Sequence, residues 1–211
     1  MSERPTILTS RRQVMVDIET LGQNETGTPA VFEIGLVLFD PLYTGTLAGA
    51  DLRCCPFDAL AEGWAHDLET LRWHIKKKTN LLRSSSLLSL SEIVGEALEF
   101  LTINNFDFIW AKAPDFDLDI LKKLFAHYYP KAALPWEYWQ ARDVRTLADL
   151  DHDAAPDPPH RAYQDAIIEA EAVSRVIRRF ATSSGSAGEL THTSPEAIAP
   201  FAGTTTDDSE L

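Results

Sequence analysis

The stretch Met15-Val16-Asp17-Ile18-Glu19-Thr20 sets two carboxylates two residues apart in otherwise apolar sequence. Val14, Val16 and Ile18 alternate with Met15, Asp17 and Glu19, the period-2 pattern of a strand. Acids at i and i+2 project to the same face, roughly 7 Å apart at backbone level, and repel unless something positive sits between them. Hard carboxylate oxygens suit a divalent cation such as Mg²⁺ or Mn²⁺. The bland alternative is a strand end whose acids point at water.

Two later segments offer partners for that pair. In Trp110-Ala111-Lys112-Ala113-Pro114-Asp115-Phe116-Asp117 a strand gives way to a helix, a usual place to mount functional groups on α/β folds. Asp117 precedes Leu121 by one helical turn, so its carboxylate can face the first strand while Leu121 anchors the helix. Asp115 and Asp119 turn off that face, and Asp115 suits the helix dipole instead. In His160-Arg161-Ala162-Tyr163-Gln164-Asp165 the last acid lies one turn inside a long helix, beside Ala162 and Ala166. A carboxylate at the border of a buried face needs a partner, and a metal ion supplies one. His160 is about 140° away from Asp165 around an ideal helix. It therefore fits the loop–helix junction, held by Pro158 and Pro159 and leaning over the site. There it is either a general base near neutral pH or a structural histidine.

The positioning elements read as α/β. Ala30–Phe39 is a nearly continuous apolar strand interrupted by Glu33, and Thr44–Cys55 a weaker third strand. Their short connections suggest an antiparallel meander. Glu33 fits either a supporting role at a metal site or a simple hydrogen-bonded glutamate. Asp67 is a plausible N-cap for a helix whose buried stripe is Leu68, Leu71, Ile75 and Leu82. Its other side carries Arg72, Lys76, Lys77, Lys78 and Arg83, with Trp73 and His74 between. That face is either solvated or a phosphate-steering patch with an aromatic for base stacking. Ser91 caps a helix to Leu101 that buries Ile93, Val94, Ala97, Leu98 and Leu101. Phe106–Trp110 is a fourth strand. A helix follows from Pro114 to about Tyr128, burying Leu118, Leu121, Leu124 and Phe125. A last short strand falls within Trp136–Val144, and a helical turn runs through Leu150. The final helix spans about His160 to Ala181, with Ala162, Ala166, Ala170, Val173 and Ile177 as its stripe.

At 211 residues the chain holds one sizeable core, expected over 12–182, after a lead-in at 1–11. Residues 183–211 lack Lys and Arg and contribute five of the net −13 charges, the composition of a disordered acidic tail. No apolar run approaches the ~20 residues of a membrane span, so no membrane partner is expected. The only cysteines are the neighbours Cys54 and Cys55, which suits a reduced cytoplasmic setting. The acidity argues against a long duplex-coating DNA binder, but not against a nucleic-acid enzyme whose bound ions invert the local field.

Asp-x-Glu on a first strand, Phe-Asp after a central strand and His-x-x-x-x-Asp on a late helix together resemble the DEDDh family of 3′–5′ exonucleases, over residues 12 to 181. Within it the chain is most similar to the group of phage exonuclease A and the mycobacterial exoribonuclease-like domain, and more distantly to ribonuclease T and oligoribonuclease. The supporting segments are Asp17–Gly22, Glu33–Gly35, Pro135-Trp136 and Arg142–Leu147. The resemblance implies an RNase H-like mixed sheet, an antiparallel three-stranded meander plus parallel strands, flanked by helices. It also implies phosphodiester hydrolysis with two Mg²⁺ or Mn²⁺ per site, at single-stranded 3′ ends of RNA or DNA. On that model Asp17, Glu19 and Asp165 hold the ion that activates water, Asp17 also reaches the second ion, and Asp117 completes the set through water. His160 takes the proton. A sister subgroup has tyrosine four residues before the last aspartate; Arg161 occupies that position here. Thr20, Leu21 and Gly22 are carried over as substrate contacts, with Trp73 and Trp110 as further candidates. Relatives are often homodimers. The competing readings are a non-catalytic module that binds nucleic-acid ends on the same fold, and a nuclease acting on nucleotides.

Overall fold

The computed structural model describes residues 5–23, 27–77, 88–148, 150 and 159–184. Its centre is a five-stranded mixed sheet in the order β3-β2-β1-β4-β5. The strands are β1 (Gln13–Thr20), β2 (Val31–Phe39), β3 (Thr46–Arg53), β4 (Phe108–Ala111) and β5 (Ala141–Asp143). β1–β2 and β2–β3 pair antiparallel, while β4 lies parallel to β1 and β5 parallel to β4. The meander plus parallel strands expected from the sequence is therefore the observed architecture.

Six α-helices and a 3-10 turn (Tyr138–Gln140) complete the described chain: α1 (Pro56–Ala61), α2 (Leu68–Lys77), α3 (Leu90–Ile103), α4 (Asp117–Tyr128), the single turn α5 (Arg145–Ala148) and α6 (Ala162–Ser184). The alternation along β1 divides the core into two layers. Val14, Val16 and Ile18 pack with Leu36 and Leu38 against Ile93, Val94 and Ala97 of α3 and Leu118 and Leu121 of α4. Met15 turns the other way and joins Val37, Phe39, Phe108 and Trp110 beneath Ala166, Ala170, Val173 and Ile177 of α6. Asp17 and Glu19 follow Met15 at period 2, so they lie on the α6 side. The alanines of α6 let its backbone settle close to the sheet, and all five residues of its predicted stripe are buried.

Some boundaries and faces differ from expectation. Ser89, not Ser91, caps α3: its hydroxyl accepts from Glu92 N while the Glu92 carboxylate accepts from Ser89 N, a reciprocal capping box. Leu98 is only partly buried, and Phe100 takes its place in the core. The segment after Pro114 is a turn, with α4 starting at Asp117. The short helix α1, begun by Pro56, had no counterpart in the sequence reading.

The larger correction is α2. Leu68 and Ile75 are 66% and 73% exposed, and the buried residues are Thr70 and His74. α2 packs at the end of β1, and of its expected stripe only Leu71, among the described residues, turns inward against the core. Its anchor is polar: the His74 Nε2 lies 2.9 Å from the Thr20 carbonyl. Asp67 caps the helix as expected, accepting from Thr70 N at 2.6 Å. Leu82, Lys78, Arg83, Pro158 and the acidic stretch from 185 on lie outside the described residues. Among the described residues no helix is long and apolar enough to cross a membrane.

Candidate active site

The site forms where the C-terminal end of β1 meets the start of α6. Asp17 pairs across the sheet with Gly35 on β2, and Glu19 with Glu33. Gly35 is the reason α6 can come so near. A Cβ built there would lie 2.2 Å from the Ala162 carbonyl carbon and oxygen, closer than atoms can approach. The first turn of α6 thus rests on bare backbone beside Asp17, and Asp165 follows three residues later, just under one turn. A register shift between Glu19 and Thr20 bends the strand end at the same place.

Glu33 is 4% exposed and serves the helix rather than solvent. Its Oε2 accepts from Ala162 N at 3.3 Å, and Arg161 Nε lies 3.5 Å away. A carboxylate at the helix N-terminus satisfies an orphan N–H and favours the dipole. It also places negative charge across from Glu19.

Asp117 opens α4, 5% exposed, with its N–H bonded to the Ala113 carbonyl at 2.9 Å. The two rival acids face outward: Asp115 pairs with Arg145 at 3.4 Å and Asp119 with Lys123 at 2.8 Å. Asp165 is 5% exposed, and its Oδ1 has no hydrogen-bond partner. His160 precedes α6 at φ +56°, a left-handed conformation that a non-glycine residue adopts rarely. Ligand atoms of Glu19, His160 and Asp165 all lie within 4.8 Å of one another.

Sequence reasoning missed Glu169. It lies one turn beyond Asp165 on the same face of α6 and is 7% exposed. Lys112 Nζ lies 3.5 Å from Glu169 Oε1, whereas Oε2 is buried without a hydrogen-bond partner. The i, i+4 spacing from Asp165 was the available signal.

Crowding raises every carboxylate at this centre. Burial, then the charges of Asp117 and Glu169, push Asp17 well above the ordinary range. Burial and the charge of Glu33 push Glu19 up to about 8. Asp117 is pushed up to about 7 by burial and Glu169, against backbone hydrogen bonds at Ala113 and Ile18. Burial raises Asp165 to about 6 and Glu169 to about 7, with Lys112 opposing both. A set of hard oxygen donors, two of them buried and unsatisfied, fits a divalent cation and little else.

The expected substrate contacts divide. Trp110 is 1% exposed and its indole N–H donates to Gln13 Oε1 at 2.6 Å, so it is a core residue with no face for a ligand. Leu21 is 2% exposed; its N–H is bonded to Ala30 O and its carbonyl to Asp67 N, so neither its side chain nor its amide is offered outward. The Thr20 hydroxyl donates to Gly22 O at 2.8 Å. Gly22 is buried against His66 and Asp67, where a Cβ would lie 3.0 Å from His66 Cα. Trp73 differs: it is 37% exposed and its ring meets that of His160 edge-on, centroids 4.5 Å apart. Arg72, Lys76 and Lys77 are exposed on α2 beside it.

The sequence from 12 to 177 matches the family model described as the 3'-5' exoribonuclease Rv2179c-like domain. No curated protein matches it significantly. Among solved structures it resembles the nuclease domain of 3'hExo, a DEDDh family member, bound to rAMP, at 7% identity and a TM-score of 0.55, covering 83% of this chain and 94% of that one. A full-length 3'-exonuclease aligns at 9% identity and a TM-score of 0.49, covering 83% of each chain. A 3'-exonuclease in 3'-end specific recognition of histone mRNA stem-loop aligns at 10% identity and 0.47, again covering 83% of each. At such identities the likeness is one of fold, and the first of the three carries it.

Proposed function

Because the chain belongs to the 3'-5' exoribonuclease Rv2179c-like domain family, we propose that it is a metal-dependent nuclease of the DEDDh type, removing nucleotides from single-stranded 3′ ends of RNA. The single observation that carries this reading is the convergence of Glu19, His160 and Asp165 within 4.8 Å, beside the half-buried Asp17 and the buried Asp117. Four acids from three separate elements meet at one strand end, and a structural role would not require that repulsion.

Asp17, Glu19, Asp117 and Asp165 are the residues that would hold divalent cations, with Mg²⁺ or Mn²⁺ matching the all-oxygen donor set. Bound there, two cations would polarise the scissile phosphate and stabilise the attacking and leaving oxygens. His160 accepts the proton of the attacking water, its ring lying beside Glu19 and Asp165 and held at one edge by Trp73. Glu33 fixes the first turn of α6 through Ala162 N and so fixes where Asp165 points. The exposed face of Trp73 is available for a terminal base, and Lys76 and Lys77 on the same helix supply attraction for a few phosphates. The similarly folded nuclease domain bound to rAMP is consistent with a mononucleotide-sized terminal pocket.

The test is degradation of 5′-labelled single-stranded RNA and its DNA counterpart, with Mg²⁺ and with EDTA. A ladder shortening from the 3′ end only with metal, faster on RNA, is expected. Metal-independent cleavage, or internal cuts without a ladder, would overturn the reading.

A further inference from the structure

Glu169 is not explained by the four-acid centre. It sits on α6 one turn after Asp165, on the face that packs against the sheet, at 7% exposure. A glutamate there whose purpose was to steady a surface lysine would leave both oxygens near solvent. Instead the two oxygens have different surroundings. Oε1 has Lys112 Nζ at 3.5 Å, and the Lys112 side chain is 58% exposed. Oε2 is buried and lacks any hydrogen-bond donor. A buried, unsatisfied carboxylate oxygen is costly unless a cation or ordered water meets it.

Its place follows from the sheet register. Met15 pairs with Trp110 and both lie on the α6 side, so one period-2 step further along that side come Asp17 and Lys112, and the Lys112 ammonium lies 3.5 Å from Glu169; the charge of Glu169 accordingly acts on Asp117 and Asp17. Asp165, by contrast, clusters with Glu19 and His160. So α6 serves the centre twice: Asp165 on the Glu19 side, and Glu169, about 5.4 Å further along the axis per helical turn, on the Asp17–Asp117 side. Paired ions in such sites lie about 3.5–4 Å apart, a separation that two carboxylates one turn apart on one helix can straddle. Mg²⁺ keeps several of its waters and takes only one or two carboxylates directly.

Building on the proposed metal dependence, we infer that Glu169 is a fifth carboxylate of the centre. Its inward oxygen accepts hydrogen bonds from the water shell of the cation held by Asp17 and Asp117. It is a positioning residue, acting through that shell. Lys112 meets only the outward oxygen.

The test is calorimetric titration of Mn²⁺ into the full-length protein stripped of metal, with Glu169→Gln, Glu169→Asp, Lys112→Met and Asp165→Asn alongside. The parent takes up two ions. Glu169→Gln weakens one of them by about 10–100-fold, the cost usual for partners of metal ligands, and Glu169→Asp recovers part of it. Lys112→Met leaves both ions within about threefold of the parent, since the inward oxygen does the work. Equal Mn²⁺ binding by Glu169→Gln and the parent, while Asp165→Asn loses an ion, would overturn this inference and leave the nuclease reading intact. A Lys112→Met variant that reproduces the Glu169→Gln defect would reduce Glu169 to the partner of an ion pair. A parent that binds no Mn²⁺ would overturn the metal reading and this inference with it.

Discussion

Replacing Glu19 by Gln in the metal-free protein should stabilise it, and the structure sets the size and pH dependence of the gain. Burial and the charges of Glu33, Asp165 and Asp117 raise Glu19 from 4.5 to about 8, with Arg161 opposing. The folded protein then keeps this proton up to about pH 8, while the unfolded chain releases it above 4.5. Stability therefore falls as pH rises through that window and is flat above it. At 1.36 kcal/mol per pH unit, ionising Glu19 in the folded state costs on the order of 5 kcal/mol more than in the unfolded chain. Solvent at the half-buried carboxylate screens part of this, and about 2–3 kcal/mol is the expected gain from the amide. For a chain of this size that is a rise in Tm of about 4–12 °C at pH 8.5 in EDTA. At pH 5 the parent is protonated at Glu19, and the two proteins should melt within a few degrees of each other. Saturating Mg²⁺ should reverse the order at pH 8.5, because the amide has lost a ligand oxygen. Thermal melts of parent and variant at the two pH values, with EDTA and with Mg²⁺, supply the comparison. A variant less stable than the parent at pH 8.5 in EDTA would refute the argument, because it would mean Glu19 is paired rather than crowded.

Asp17→Asn and Asp165→Asn should each nearly abolish turnover while leaving the fold intact; near-parental cleavage by either in a gel assay would remove it from the metal set. His160→Ala should lower kcat by roughly 10²–10⁴-fold with Mn²⁺ binding kept, and an unchanged rate across pH 6–9 would make the histidine structural. Gly35→Ala forces α6 off the sheet, so a loss of about 1–3 kcal/mol is expected, with activity falling further because Asp165 moves; denaturant melts and turnover together check it. Reversing Lys76 and Lys77 to Glu should weaken binding to single-stranded RNA at low salt without altering the metal requirement, and unchanged affinity would return them to a solvated face.

The sheet was legible chiefly from β1, whose side chains alternate, and β2, a long apolar run, because each side chain on a strand can point only one way or the other. The same rule put Asp17 and Glu19 on one face before any neighbour was known. The alanine stripe of α6 was likewise written in the chain, since only small residues let a helix lie close to a sheet. Cap positions were harder: Ser89 and Ser91 are both good caps, and the choice turned on which serine had Glu92 three residues on. The α2 face was misread for a physical reason. Leu68, Leu71 and Ile75 fit one apolar stripe, but α2 meets the rest of the protein at the end of a strand through Leu71 and His74, and that narrow contact leaves Leu68 and Ile75 exposed. Trp110 read as an available aromatic because sequence does not say that Gln13, almost a hundred residues earlier, waits to accept its N–H. Residue types and spacing determined that acids and a histidine would converge on one strand end, since chemistry limits what such a pattern can do. Only the tertiary structure decided how closely they converge, because that depends on the bare backbone at Gly35 under Ala162. It alone brought Glu169 and Lys112 together at 3.5 Å, because a turn of α6 comes beside the end of β1 and the residue after β4 only once the helix has packed across the sheet.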